Sequence, residues 1–420
     1  MFDINRYQVE VVSLIKRFRG LFLVGGVTSL EKAIHLLTFF ALSPWVSPEE
    51  YGLFALAWVV IAVVDGFFDF GASFGFLSDK GGGEESKQIL NAASLIFSSS
   101  WASVCILSAF IVSCFDDRSI DELLYILSLI VLLRGVSYPC CLTFIRNQDY
   151  RLLTLNGIIP PILGGITGIV LAVYGWGVWA LVGRYLADAV VRCVLVWVYS
   201  PYSHKLLVDI HRTYIWIAKG WKLAVSNNLG WLVVLQVEQV IIGSVMGPAM
   251  LGIYNFAKKP VDIAGQIFGP VSNKYFLPTY ISRPHSVASV MKMGVTLSVI
   301  TAIACIPGCW LAMTLVFSYW PDQWAPAAEL MPLVFLLLPI LIFEVPLKSF
   351  LAAQGNSGVI LKLTILSSIM SMFVVVFCAF TSAEIILIVY GAILVSLLRL
   401  VIFILFVVRT ERGGILAWLT

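Results

Sequence analysis

From end to end the chain alternates between long apolar runs and short polar breaks, and the runs are too long for the interior of a soluble domain. About 20 apolar residues in helical form match the hydrocarbon thickness of a bilayer. In the first half such runs are predicted at Leu21–Leu42, Tyr51–Phe76, Leu90–Cys114, Glu122–Thr143, Leu152–Tyr174 and Val178–Tyr199. In the second half they fall at Trp221–Met246, Met250–Tyr275, Val290–Phe317, Leu330–Ala352, Val359–Phe380 and Glu384–Val408. The pattern therefore predicts an all-α polytopic membrane protein of about twelve transmembrane helices.

A repeat organises these spans. Ala41–Val64 returns as Ile241–Ala264 without a gap, placing Pro48 on Pro248, Gly52 on Gly252, Phe54 on Tyr254 and Ala57 on Ala257. A weaker echo lays Cys141–Gln148 over Leu347–Gln354, aligning Phe144 with Phe350. An even number of spans per half brings both halves into the membrane from the same side. The repeat is thus expected to be parallel, two six-helix halves related by an axis along the membrane normal. The expected divisions are an interfacial amphipathic helix over 1–20, where Arg6, Lys16, Arg17 and Arg19 stand among Val11, Val12, Leu14 and Ile15, lobes over 21–200 and 221–408, a cytoplasmic linker over 201–220 and a tail over 409–420.

Composition agrees: 60% of residues are apolar and 12% charged, about half the charge of a soluble domain. No room is expected for a separate soluble catalytic or receptor domain, and no cleavable signal peptide is expected. Lys and Arg partition by side. Lys80, Lys87, Arg146, Arg151, Lys205, Arg212, Lys219, Lys274, Arg283, Lys292, Lys362, Arg409 and Arg412 share a side with the N-terminus, and Arg118 alone lies opposite. Both termini are therefore expected in the cytoplasm. The formal charge of +3 is spread this way rather than gathered on one face, and a nucleic-acid partner is not expected.

Catalytic chemistry finds few parts. The eight cysteines lie almost wholly within spans and read as small apolar packing residues. His35, His204, His211 and His285 form no metal-binding or nucleophilic pattern. Gly81–Lys87 lacks the spacing of a phosphate loop. No metal or cofactor is expected, and the chain does not read as an enzyme.

Ionisable residues inside spans are what remains, each costing about 2.5–3.5 kcal/mol at the bilayer centre. Glu31 and His35 share a face, with Lys32 turned about 100° away. Asp65 and Asp69 also share a face and read either as a proton or sodium site or as partners for a cation. Arg184, Asp188 and Arg192 form a ladder in which one acid faces two cations, so that one positive charge is left over. Arg134 has no acid at helical spacing. Asn228, Trp231 and Glu238 share a face of the seventh helix, and Tyr254, Lys258, Asp262 and Gln266 form a stripe on the eighth, beside Lys259. Glu344 with Lys348 reads as a structural pair.

The blocks Tyr51–Gly71 (YGLFALAWVVIAVVDGFFDFG), Gly168–Tyr202 and Val237–Ser282, the last containing GPAMLGIYNFAK, resemble the polysaccharide exporters, or lipid-linked oligosaccharide flippases, of the multidrug/oligosaccharidyl-lipid/polysaccharide superfamily. Such proteins usually carry an Asp-Asn pair where Glu238 and Gln239 stand, and many have a further pair of spans. The resemblance implies two six-helix lobes around a central cavity and alternating-access transport of a polyprenyl-pyrophosphate-linked oligosaccharide across a bacterial inner membrane, with membrane lipids and other polysaccharide-assembly proteins as partners. Under that reading Lys32, Arg134, Arg184, Arg192, Tyr254, Lys258 and Lys259 contact substrate, while Asp65, Asp69, Glu31, Asp262 and Glu238 couple ions. A cation-coupled multidrug exporter of the same superfamily and a membrane-embedded glycosyl or acyl transferase are the alternatives. Short outer loops weigh against the transferase, and roughly equal numbers of cations and anions in the spans weigh against the drug exporter.

Overall fold

A computed structural model describes residues 26–68, 71–78, 83–114, 120–147, 149–199, 205–271, 276, 279–280, 286–381 and 384–411. The interfacial helix over 1–20, Asp69, Lys274, Arg283 and the tail beyond residue 411 lie outside the described residues. Fourteen α-helices are described: α1 (residues 26–42), α2 (Pro48–Phe67), α3 (Ala72–Ser78), α4 (Glu84–Ser113), α5 (Ile120–Asn147), α6 (Tyr150–Val173), α7 (Val178–Tyr199), α8 (Ile210–Ile241), α9 (Pro248–Val271), α10 (Val287–Tyr319), α11 (Ala325–Phe335), α12 (Leu337–Ala353), α13 (Ser357–Phe380) and α14 (Ile385–Glu411).

They make up twelve spans because two spans are broken. The second ends α2 at Phe67 and restarts as α3 after Gly71, whose φ of 87° suits glycine. The tenth divides at Leu336. Pro339 explains that break, since its ring displaces the carbonyl four residues back, on Phe335, and offers it no N–H. Among the described residues seven spans, with α11 and α12 taken together, are long and apolar enough to cross a membrane on length and composition. The remaining five, built on α1, α2, α7, α8 and α9, hold most of the intramembrane charges.

Helix starts follow local chemistry. Ser47-Pro48-Glu49-Glu50 forms a reciprocal cap on α2: the Glu50 N–H donates to Ser47 Oγ at 3.3 Å, and the Ser47 N–H donates to Glu50 Oε2 at 2.7 Å. Ser47→Ala should lower stability by about 1 kcal/mol, with Ser47→Thr largely retaining it, as read by thermal unfolding in detergent. Asp209 caps α8 by accepting the Arg212 N–H at 2.9 Å. For that reason α8 begins eleven residues before the predicted Trp221, and much of the expected linker is helix.

By packing, the chain forms two units, and their boundary departs from the expected 21–200 and 221–408. The first unit comprises the described residues up to Ala41 and Phe67–Ala224, and the second comprises Leu42–Gly66 and those from Val225 onward. In the first, α4 packs on α5 and α7 on both α5 and α6. Phe76, Ile89, Leu90, Leu142 and Trp216 form a core there, with the Arg146 guanidinium 4.9 Å from the Phe76 ring centre. In the second, α10 and α14 pack on α12, and α11 on α9, around Val290, Leu347, Phe350, Leu351, Phe403 and Val407.

Within the second unit, α2 is held by direct backbone contact. Gly52 lies directly against the backbone carbonyl of Pro248, and Gly252 lies reciprocally against that of Pro48. Any side chain at either glycine would occupy the other helix's backbone. Trp324, fully buried, packs against Tyr51 and Phe256 with ring centres at 5.3 and 4.4 Å, and its indole N–H donates to the Ser43 carbonyl at 2.9 Å. As the repeat requires, Pro48 and Pro248 each begin a helix.

Candidate functional site: three intramembrane charge clusters

The first cluster is built by the glycines of α6. A Cβ on Gly164 would stand 2.6 Å from the Arg184 carbonyl, and one on Gly168 would stand 2.8 Å from Arg184 Cβ. On the other side of α6, Gly165 meets Thr38 and Gly157 meets Val27. Small residues let backbones approach this closely in lipid, so α6 seats α1 and α7 together. Arg192 Nη2 then lies 3.2 Å from Asp188 Oδ1 and 3.4 Å from Glu31 Oε1, while Nη1 donates to the Asn156 carbonyl at 2.9 Å. Arg184, only 2% exposed, donates from Nη2 to the His35 carbonyl at 3.0 Å and lies 3.0 Å from His35 Nδ1.

One expectation is corrected here. The ladder on α7 leaves no cation over, because Glu31 of α1 supplies the second acid. Lys32, turned away as expected, makes no hydrogen bond or ion pair among the described residues. Arg134, half-buried on α5, is engaged by neighbours and is not a lone charge.

The second cluster joins α8 to α9. Tyr254 donates its hydroxyl to Glu238 Oε1, and Lys258 donates to Glu238 Oε2 at 2.7 Å with its ammonium 5.1 Å from the Tyr254 ring centre. Asp262, one turn along, adds its negative charge to the field at Lys258, and Lys259 is also engaged. Four of the expected site residues thus meet in one place. The side chains of Asn228 and Trp231 lie outside the described residues. Asp65 is exposed on α2.

The third cluster was only half legible in the sequence. Glu344 is fully buried, with Lys348 Nζ at 2.6 Å from Oε2 and Arg399 Nε at 2.8 Å from Oε1. Arg399 sits midway along α14 and binds Glu344 through Nε. Its Nη atoms have no hydrogen-bond partner among the described residues. It borders a shallow pocket with Leu363, Ser367 and Val395. A lone arginine inside an apolar run, LLRLV, was the available signal. One acid now faces two cations, so this cluster alone of the three carries surplus positive charge.

No group of three or more His, Cys, Asp or Glu side chains suited to a metal occurs among the described residues. The clusters place paired charges within apolar helices, where each unpaired charge would be costly.

Comparison with known proteins gives this arrangement a family. Residues 42–329 match the family model described as polysaccharide biosynthesis protein. The succinoglycan biosynthesis transport protein ExoT of Rhizobium meliloti (strain 1021) is 22% identical over 209 residues, 49% of this chain. That match spans 42% of the length of ExoT. An inward-closed structure of the lipid II flippase MurJ is similar with a TM-score of 0.70 and 14% identity, over 92% of this chain and 87% of that one. An inward-facing multidrug resistance MATE family transporter of the MOP superfamily follows, with a TM-score of 0.61 and 14% identity over 94% and 96%. The chain is a multi-pass membrane protein that belongs to the polysaccharide biosynthesis protein family and carries the fold of the MOP superfamily flippases and exporters.

Proposed function

We propose that this protein carries a polyprenyl-pyrophosphate-linked oligosaccharide from the cytoplasmic to the outer leaflet of a bacterial inner membrane by alternating access, with both termini in the cytoplasm. The observation that carries the reading is the third cluster. Two cations on one buried acid leave net positive charge at membrane depth, and Lys348 is one-third exposed. A pyrophosphate is the anion such a surplus suits, and the arginine fork favours its oxygens. The family assignment, ExoT and the MurJ-like fold support a polysaccharide-related, lipid-borne cargo. Lys348 and Arg399 join Lys32, Arg134, Arg184, Arg192, Tyr254, Lys258 and Lys259 as the proposed substrate-facing set. Glu31, Asp65, Asp69, Glu238 and Asp262 remain the proposed coupling acids.

The test is made in cells. A strain lacking the protein should accumulate lipid-linked oligosaccharide that an impermeant reagent reaches only from the cytoplasmic face, and restoring the protein should clear it. Unchanged lipid-linked pools together with altered drug susceptibility would instead favour a multidrug exporter.

A further inference from the structure

The chemistry of the His35 contact fixes where its proton sits. A guanidinium donates and never accepts, so the nitrogen facing Arg184 Nη2 at 3.0 Å, Nδ1, carries no proton. The neutral ring therefore holds its hydrogen on Nε2, which lies 4.0 Å from Asp188 Oδ2. Adding a proton at Nδ1 would set N–H against N–H. Protonation at Nδ1 and the contact of Arg184 with the His35 ring thus exclude one another, while the donation to the His35 carbonyl does not depend on the ring.

The surroundings make the exclusion consequential. Among the described residues, α1 presents Glu31 beside His35, and α7 presents Arg184, Tyr185, Asp188 and Arg192, with the Tyr185 ring stacked 6.4 Å from the imidazole. From α6 come glycines and the Asn156 carbonyl, which holds Arg192. Two arginines balance Asp188 and Glu31, so the cluster is neutral while His35 is neutral. A proton on His35 adds unbalanced charge unless Arg184 swings away or an anion arrives. The His35 side chain is 18% exposed, which leaves a route for a proton.

We propose that His35 is the proton-carrying group of this transporter: an anionic head group draws Arg184 off Nδ1, His35 then takes up a proton there, and Asp188, facing Nε2, stabilises the resulting imidazolium. The proposal rests on the flippase reading for the identity of the anion. Linkage makes the effect reciprocal, because proton uptake that frees Arg184 must strengthen anion binding by the same factor that the anion favours protonation. It also ties the chemistry to movement, since the Arg184–His35 contact is one of the links between α1 and α7.

Full-length protein with His204, His211 and His285 replaced by Gln, reconstituted in lipid with ¹⁵N-histidine, gives one imidazole signal by NMR. At neutral pH the expected spectrum is the Nε2–H tautomer. Inorganic pyrophosphate, or Arg184→Met, should shift His35 toward the protonated form at a given pH. A proton on Nδ1, or a titration that neither change moves, would overturn the proposal. A second arm measures flipping of a polyprenyl-pyrophosphate oligosaccharide in liposomes. A pH gradient should change the wild-type rate about tenfold, and His35→Gln and His35→Asn should abolish that response; an unaltered response in both also overturns it. Wild-type protein that flips nothing while the NMR linkage holds would refute the substrate reading and leave the proton site standing.

Discussion

Glu344→Gln is expected to lower the free energy of unfolding by about 3–5 kcal/mol, the range found when one partner is removed from a buried ionic group. The carboxylate has no access to solvent and is held between Lys348 of its own helix and Arg399 of α14. An amide in its place leaves two cations facing each other within the bilayer, so α12 and α14 must part or admit water. Unfolding in detergent followed by tryptophan fluorescence reads the loss, and a change below about 1 kcal/mol would show that the cluster is not structural. Replacing all three residues by apolar ones of similar volume should recover most of the stability. On the proposed function that triple variant is nevertheless inactive in export, because the surplus cation is gone. Stable and fully active triple-variant protein would remove the third cluster from the substrate path.

The second large effect is expected at the glycine seam. Gly252→Ala places a methyl group on the carbonyl of Pro48, and Gly52→Ala does the same to Pro248. The obstacle in each case is backbone, which cannot rotate aside as a side chain does. Each variant should therefore lose at least the ~3 kcal/mol at the upper end of ordinary overpacking. The double variant should cost much less than twice that, since helices already forced apart do not collide again. Thermal unfolding of the three proteins decides the matter. Neutral single variants, or strict additivity, would mean that α2 and α9 do not rely on this contact.

Much of this architecture was legible because bilayer thickness dictates span length, and the ungapped register of Pro48 with Pro248 marked equivalent helix starts. The interruptions were harder. Pro339 and Gly71 lie inside continuous apolar runs, where hydropathy gives no sign that a helix restarts. Helical spacing correctly put Glu31 with His35 on one face and Arg184 with Asp188 and Arg192 on another. It could not reveal that these faces meet, because their meeting depends on a third helix: Gly157, Gly164, Gly165 and Gly168 of α6 determine which neighbours come within reach. The same limit hid Arg399, whose acid lies fifty-five residues earlier. Periodicity reports what shares a face within one helix and is silent on what that face touches. The grouping of α2 with the second unit was equally out of reach, since it depends on two glycines meeting carbonyls two hundred residues away.

Those glycines have a wider consequence. Gly52 meets Pro248 and Gly252 meets Pro48, so residue i touches j′ while j touches i′, which is the rule of an isologous interface in a two-fold symmetric dimer. Here both partners belong to one chain. The seam therefore behaves as a homodimer contact whose subunits have been fused, and a substitution in either copy is judged by the backbone of the other. A half-length chain ending ahead of α8 would carry one surface of that contact without its mate.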